Sequence, residues 1–147
     1  MSDAGVCALL IGAQIFVRIR KTRIIDKPVI AAMFGYCLGG GITLLLPHDL
    51  AIASDKAQFG QVGPKVGSVD PGFGTAYLAR VIGEKRAREM WLTCNRIPAQ
   101  QAYEWGLVNK VVPRARLKHE TLELARTIAA RPSFALKLAK MAVNHAL

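Results

Sequence analysis

A chain of 147 residues, 52% hydrophobic, with 20 Lys+Arg against 10 Asp+Glu and a formal net charge of +10, has material for one ordinary domain with a core. It carries no low-complexity tract and no internal repeat, which argues against disorder and repeat architectures. No nucleic-acid module is visible and aromatic residues do not interleave with the basic clusters, so a nucleic-acid-binding protein ranks last among the function classes.

The charge gathers at Arg18, Arg20, Lys21 and Arg23, at Lys85, Arg86 and Arg88, and at Lys110, Arg114, Arg116 and Lys118. A phosphorylated ligand and a set of solvated basic faces both account for it. Cys7, Cys37 and Cys94 are far apart with no CxxC pair, and His48, His119 and His145 lack ligand spacing. No disulfide framework and no metal site are expected; the thiols read as buried, in a reducing, cytoplasmic compartment.

In chain order, Val6 to Val17 is largely apolar, too short for a membrane span and preceded by an acidic residue, so no membrane segment is expected. Residues 1–26 form an atypical N-terminal segment, in which Val6 to Val17 reads as a core segment or the start of an amphipathic helix and periodicity does not decide between helix and strand over Ile15 to Ile25. Pro28 to Phe34 is a continuous apolar run, as in a strand buried on both faces. It leads through a glycine turn, Gly35 to Gly41, into a helix over Ile42 to Leu46. Strand, glycine turn and helix make an anion-binding arrangement, and equally a tight turn that needs small residues.

Asp49 to Ser54 is the next strand and Lys56 to Gln61 a short extended piece. The stretch Phe59 to Arg80, FGQVGPKVGSVDPGFGTAYLAR, crowds glycines, a Pro turn, Ser68 and Asp70 ahead of a helix from about Pro71 to Ile82. Asp70 suits the cap of that helix and Pro71 its first position. A second helix follows from Glu84, with Ala87, Met90, Trp91 and Cys94 on one face. Ala99 to Trp105 is a short helix stopped by Gly106, and Leu107 to Val112 an apolar strand closed by Pro113. Two helices finish the chain, one burying Leu117, Leu124, Ala125 and Ile128, the other Phe134, Leu138, Met141 and Ala142. The last is apolar over more than one face, which predicts burial against something larger, such as another subunit.

Four segments carry a resemblance. GYCLGGG, then DLAIASDKAQFGQ, then the GxGTAYLxRxxG helix, then AxxAYEWGLVNKVVP resemble, in order and spacing, the crotonase (enoyl-CoA hydratase/isomerase) superfamily over residues 27–147. The resemblance implies an α/β fold, a partial crotonase-like spiral ββα core over 27–113 followed by a C-terminal helical region over 114–147. It implies acyl-coenzyme A substrates, no covalently bound cofactor, and homo-oligomers, trimers or hexamers, built through the C-terminal helices. It also implies that Gly40, beside Gly39, donates a backbone N–H to an oxyanion hole that holds the thioester oxygen.

The family's hydratases place glutamates at positions that here hold Thr43 and Gly63, so simple hydration is disfavoured. QVGPKVGSVDPGFG with AREMW instead resembles the branch of 1,4-dihydroxy-2-naphthoyl-CoA synthase and 2-ketocyclohexanecarboxyl-CoA hydrolase, which make or break a carbon–carbon bond beside a thioester. By that resemblance Ser68 and Asp70 orient the substrate's second carbonyl and move its proton. Gln61, Gly63 and Trp91 match residues that, in the synthases using bicarbonate, surround that anion in place of a carboxylate base. The Thr of that set is Val62 here, which cannot donate a hydrogen bond, and this favours the ring-opening hydrolase over the ring-closing synthase. Against the family pattern, most of the N-terminal half and the final segment have no counterpart. An inactive or partner-dependent fragment is therefore the alternative expectation.

Overall fold

The computed structural model describes residues 21–70 and 73–145. Among the described residues the strands are β1 (Ile30–Met33), β2 (Tyr36–Leu38), β3 (Leu50–Ser54), β4 (Gln58–Gly60), β5 (Ile97–Pro98) and β6 (Lys110–Val112). The helices are α1 (Gly40–Leu45), α2 (Phe73–Ile82), α3 (Glu84–Thr93), α4 (Ala99–Glu104), α5 (Leu117–Ala129) and α6 (Ser133–His145). The first four strands go alternately to two sheets. One sheet has the order β1-β3-β6 and the other β2-β4-β5. The chain thus runs β1, β2, α1 and then β3, β4, α2, two turns of a ββα repeat, with β1 parallel to β3 (Ala31 beside Ala51) and β2 parallel to β4 (Cys37 beside Phe59).

The central strand β3 lies between β1 and β6 and buries Ala51 to Ser54, which explains its near-unbroken apolar sequence. Phe59, Ile42, Ile52, Leu78 and Met90 are the largest fully buried apolar side chains. In α2 the buried positions are Gly74, Leu78 and Ile82, one helical face at a spacing of four.

Most elements fall where the apolar pattern puts them, but β5 is not anticipated by it, β6 starts three residues later than the expected strand from Leu107, and further differences bear on the site and on α6. The expected glycine turn contains the strand β2, whose three residues are too few to show an alternation. Its helix begins at Gly40, two residues early, because Gly39 caps it at φ 51°. In α6, Phe134 is 71% and Leu138 48% exposed, and Met141 and Ala142 are exposed too, so the fold itself does not bury that face. The expected start of α2 at Pro71 lies outside the described residues, as do Val6 to Val17 and Cys7.

Among the described residues, no helix is long and apolar enough to cross a membrane. Several basic residues have partners inside the chain. Arg88 pairs with Glu84 at 2.9 Å, the Arg114 guanidinium lies 4.6 Å from the Phe34 ring centre and that of Arg23 4.7 Å from the Tyr77 ring centre.

Candidate functional site

The turn from β2 into α1 is held by a hydrogen bond from the Gly39 N–H to the Gly60 carbonyl at 2.9 Å, which ties it to the end of β4. At φ 51° Gly39 takes a backbone shape that other residues avoid, and a Cβ there would stand 3.0 Å from the Val62 Cγ2 methyl. Gly40 opens α1 and is exposed. The first backbone bond of the helix runs from Thr43 N–H to Gly39 O at 3.2 Å, so the N–H groups of Gly40, Gly41 and Ile42 have no acceptor within the helix.

Thr43 is buried, and its hydroxyl donates to Asp70 Oδ2 at 2.6 Å. The alternative acceptor, Gly39 O, is 3.4 Å away; the hydroxyl has one proton, and the carboxylate has the shorter claim on it. Asp70 is half-buried, and its main-chain carbonyl accepts from Thr75 Oγ1 at 3.0 Å, which fixes it to the first turn of α2. Gly74 lies directly behind the pair. A Cβ there would collide with both the Asp70 carboxylate and the Thr43 hydroxyl. Helices α1 and α2 therefore meet at a three-residue corner made by Thr43, Asp70 and Gly74.

The loop before Asp70 is stitched to itself. A 3-10 turn over Gly63–Val66 ends at Gly67 with φ 67°, and the Ser68 N–H returns to Gly63 O at 2.9 Å. Gly63 is pinched: a Cβ on it would sit 2.6 Å from Ser68 O and 3.2 Å from Trp91 Cζ3. Gly63, Ser68 and Trp91 are thus in one place, with Ser68 exposed on its solvent side. Gln61 is fully buried, and neither its Nε2 nor the buried Trp91 Nε1 has a hydrogen-bond partner among the described residues. Two orphaned donors in one region are costly unless something else accepts from them.

Sequence reasoning named Gly39, Gly40, Gln61, Gly63, Ser68, Asp70 and Trp91. It missed Thr43 and Gly74. The signal for Thr43 was only the absence of a glutamate there. Three surface cavities lie away from these residues; the one lined by Pro28, Ile30, Ala125, Ile128 and Leu136 has a volume of about 320 Å³.

Other reactive groups are disarmed. Burial pushes the Cys37 thiol up to about 12, which leaves it protonated and poorly nucleophilic at neutral pH. His119, Glu120 and Glu123 bring donor atoms within 4.8 Å of one another. Glu120, however, accepts from Lys110 Nζ at 2.5 Å and from Arg116 Nη2, and two cations on its carboxylate oppose binding of a third.

Residues 12–147 match the enoyl-CoA hydratase/isomerase family. Among solved structures, an enoyl-CoA hydratase from Bacillus anthracis superimposes with a TM-score of 0.88 at 37% identity, over 99% of this chain and 55% of its own. An enoyl-CoA hydratase subunit I from Geobacillus kaustophilus gives 0.81 at 43% identity over 87% of this chain, and ThnE from S. clavuligerus 0.82 at 34% over 86%. The chain spans 50% of the former and 64% of the latter, about half to two thirds of each relative's length. With that match covering nearly the whole sequence, the chain belongs to the enoyl-CoA hydratase/isomerase family.

Proposed function

We propose that this chain works on an acyl-CoA and cleaves a carbon–carbon bond beside the thioester, opening a ring as 2-ketocyclohexanecarboxyl-CoA hydrolase does. The observation that carries the reading is the Asp70 carboxylate, oriented by Thr43 at the end of the Ser68 loop, in a site whose two hydratase glutamate positions hold Thr43 and Gly63. A lone carboxylate beside a hydroxyl suits proton transfer at a ketone better than addition of water across a double bond.

In this reaction Ser68 polarises the ring ketone while Asp70 takes a proton from water as its oxygen attacks the ketone carbon. The bond from that carbon to the thioester α-carbon breaks, and its electron pair passes into the thioester enolate. The Gly40 N–H holds the enolate oxygen while charge is there. Asp70 then returns the proton to the α-carbon, which leaves a free carboxylic acid at one end and the thioester at the other. Water is added across the broken bond and no redox partner is needed.

A second reading, ring closure as in 1,4-dihydroxy-2-naphthoyl-CoA synthase, is favoured by the orphaned donors Gln61 Nε2 and Trp91 Nε1, which suit an anion such as bicarbonate. The rest of the set does not fit that anion. Val62 offers no donor and lays its methyl against Gly39, and the space at Gly63 is filled by the Ser68 carbonyl and the Trp91 ring. Ring opening is preferred for that reason.

The apolar exposed face of α6, with Phe134 and Val143 each 71% exposed, supports association with another chain; a homo-oligomer, trimer or hexamer, in the cytoplasm is what the family resemblance implies. The test is turnover of 2-ketocyclohexanecarboxyl-CoA and of o-succinylbenzoyl-CoA by the purified chain, followed by mass spectrometry with bicarbonate added and omitted. Ring opening independent of bicarbonate is expected. Bicarbonate-dependent closure would replace it by the second reading, and neither binding nor turnover would identify an inactive or partner-dependent fragment.

A further inference from the structure

We propose that the outer edges of β1 and β2 form a docking surface for a second polypeptide, one that carries a further ββα turn and lays one strand, in parallel, beside each. Each turn of the repeat gives one strand to each sheet, β1 and β3 to one, β2 and β4 to the other, and the pairing is parallel both times. Among the described residues the run stops at β1 and β2, which are the end strands of their sheets at the same end of the repeat. The bonds on the inner side fix which backbone groups lie open. The Leu50 N–H donates to Val29 O at 3.3 Å, so in β1 the odd-numbered residues bond to β3, and the N–H and C=O groups of Ile30 and Ala32 point away from it. In β2 the Gln58 N–H donates to Gly35 O at 2.8 Å and the Gly39 N–H to Gly60 O at 2.9 Å, so the N–H and C=O groups of Tyr36 and Leu38 point away from β4. An edge of this kind is a template for strand addition.

The side chains along this edge say what kind of partner fits. Ala32 is exposed, and Phe34 and Tyr36 are 56% and 70% exposed, an apolar row at a spacing of two where β1 passes into β2. The Arg114 guanidinium lies over Phe34 and that of Arg96 5.0 Å from the Tyr36 ring centre, and among the described residues neither has a carboxylate partner. Two such cations, on a chain of net charge +10, oppose pairing of this edge with a second copy and favour a partner that brings carboxylates. The solved relatives have the material for another turn: this chain covers 50% of the Geobacillus kaustophilus subunit and 55% of the Bacillus anthracis enzyme, which leaves about half of each outside the match. A strand parallel to β2 ends beside Gly39 and Gly40, so the partner's backbone reaches the turn that opens α1, whichever acyl-CoA reaction runs there.

The experiment uses the full chain and, as probe, the half of the Geobacillus kaustophilus subunit that it leaves unmatched, produced as a separate polypeptide. In the chain alone, amide hydrogen exchange read by NMR should be fast at Ile30, Ala32, Tyr36 and Leu38 and slow at Ala31 and Cys37, whose N–H groups face β3 and β4. With the probe added, a one-to-one complex should form and the outward amides should slow at least about 10-fold. Ala32→Pro removes an outward N–H without touching a bond to β3, since an edge strand tolerates proline there. It should weaken the complex about 10- to 100-fold and leave the melting temperature of the chain alone little changed, while Ala32→Ser, which keeps the N–H, should bind as wild type does. Slow exchange at the outward amides of the monomeric chain would mean that the chain closes its own edge. A dimer of the chain alone that Ala32→Pro abolishes would give the surface to a second copy. Either result overturns the proposal, as would open amides with no complex, or a complex indifferent to Ala32→Pro.

Discussion

Two carboxylates in this fold each accept a hydrogen bond from a residue far away in sequence, and their surroundings could hardly differ more. Asp49, at the start of β3, accepts through Oδ2 from the Val29 N–H and from Lys140 Nζ, both at 2.7 Å. Lys140 is buried on α6 and directs its other protons to Thr22 O at 3.0 Å and Lys27 O at 3.1 Å, so all three donors of its ammonium are used. Asp70 meets the neutral hydroxyl of Thr43, next to a loop where Gln61 and, from α3, Trp91 keep buried donors without acceptors among the described residues. One region closes its hydrogen-bond accounts inside the chain and fastens the C-terminal helix. The other leaves polar capacity open, which is how a fold presents a binding region.

The largest expected effect tests the closed region. Lys140→Met removes one partner of a mostly buried pair and leaves Asp49 and two carbonyls short of a donor. A loss of about 3 kcal/mol in stability is expected from chemical denaturation, at the low end for broken buried pairs because Asp49 is partly open to solvent. A loss under about 0.5 kcal/mol would make this contact a surface pair of ordinary value and dissolve the contrast. Asp70→Asn should reverse the pattern, with turnover lost and stability little changed.

The contrast also separates what could be read in the chain from what could not. Glycines, apolar runs and proline stops mark the strands, helices and the loop over 63–70 because each is a local property of backbone freedom or face-by-face burial. Asp70 was legible only as a candidate helix cap and by the family resemblance. Its bond to Thr43 was not, since 27 residues separate the two and only the docking of α1 on α2 brings them together. Lys140 was hidden in the same way. A lysine on an apolar helix face gives no sign of three acceptors supplied by residues 22, 27 and 49. Phe134 and Leu138 failed in the other direction: periodicity shows that a face is apolar, not that this chain covers it.

Gly63 is the place where the two kinds of region are easiest to confuse. By resemblance its missing side chain makes room for a ligand, yet the Ser68 carbonyl and the Trp91 ring already crowd the spot. Gly63→Ala is therefore expected to cost about 1 to 3 kcal/mol, because backbone must shift to admit the methyl. Thermal denaturation with no substrate present checks this. Unchanged stability together with lost turnover would return Gly63 to the open, ligand-facing class.

The smallest effect lies at Glu120, on α5, the second closed cluster. The hydrogen bond from Lys110, aided by the charge of Arg116, holds its carboxyl below the usual carboxylate range against the opposing effect of burial. A carboxyl whose pKa is lower folded than unfolded binds fewer protons in the native state, so its stabilisation is present above the unfolded value of about 4.5. As pH falls through 4.5 towards the folded value, that contribution disappears. Wild type should melt above Glu120→Gln at pH 7, and the gap should close as pH falls below the unfolded value of about 4.5. Lys110 and Arg116 are more than half exposed, at 55% and 63%, so added salt should shrink the gap at pH 7. A gap that ignored both pH and salt would mean that Glu120 acts through packing. Its cluster would then no longer belong with Asp49 and Lys140 as a place where charge is neutralised to hold a helix.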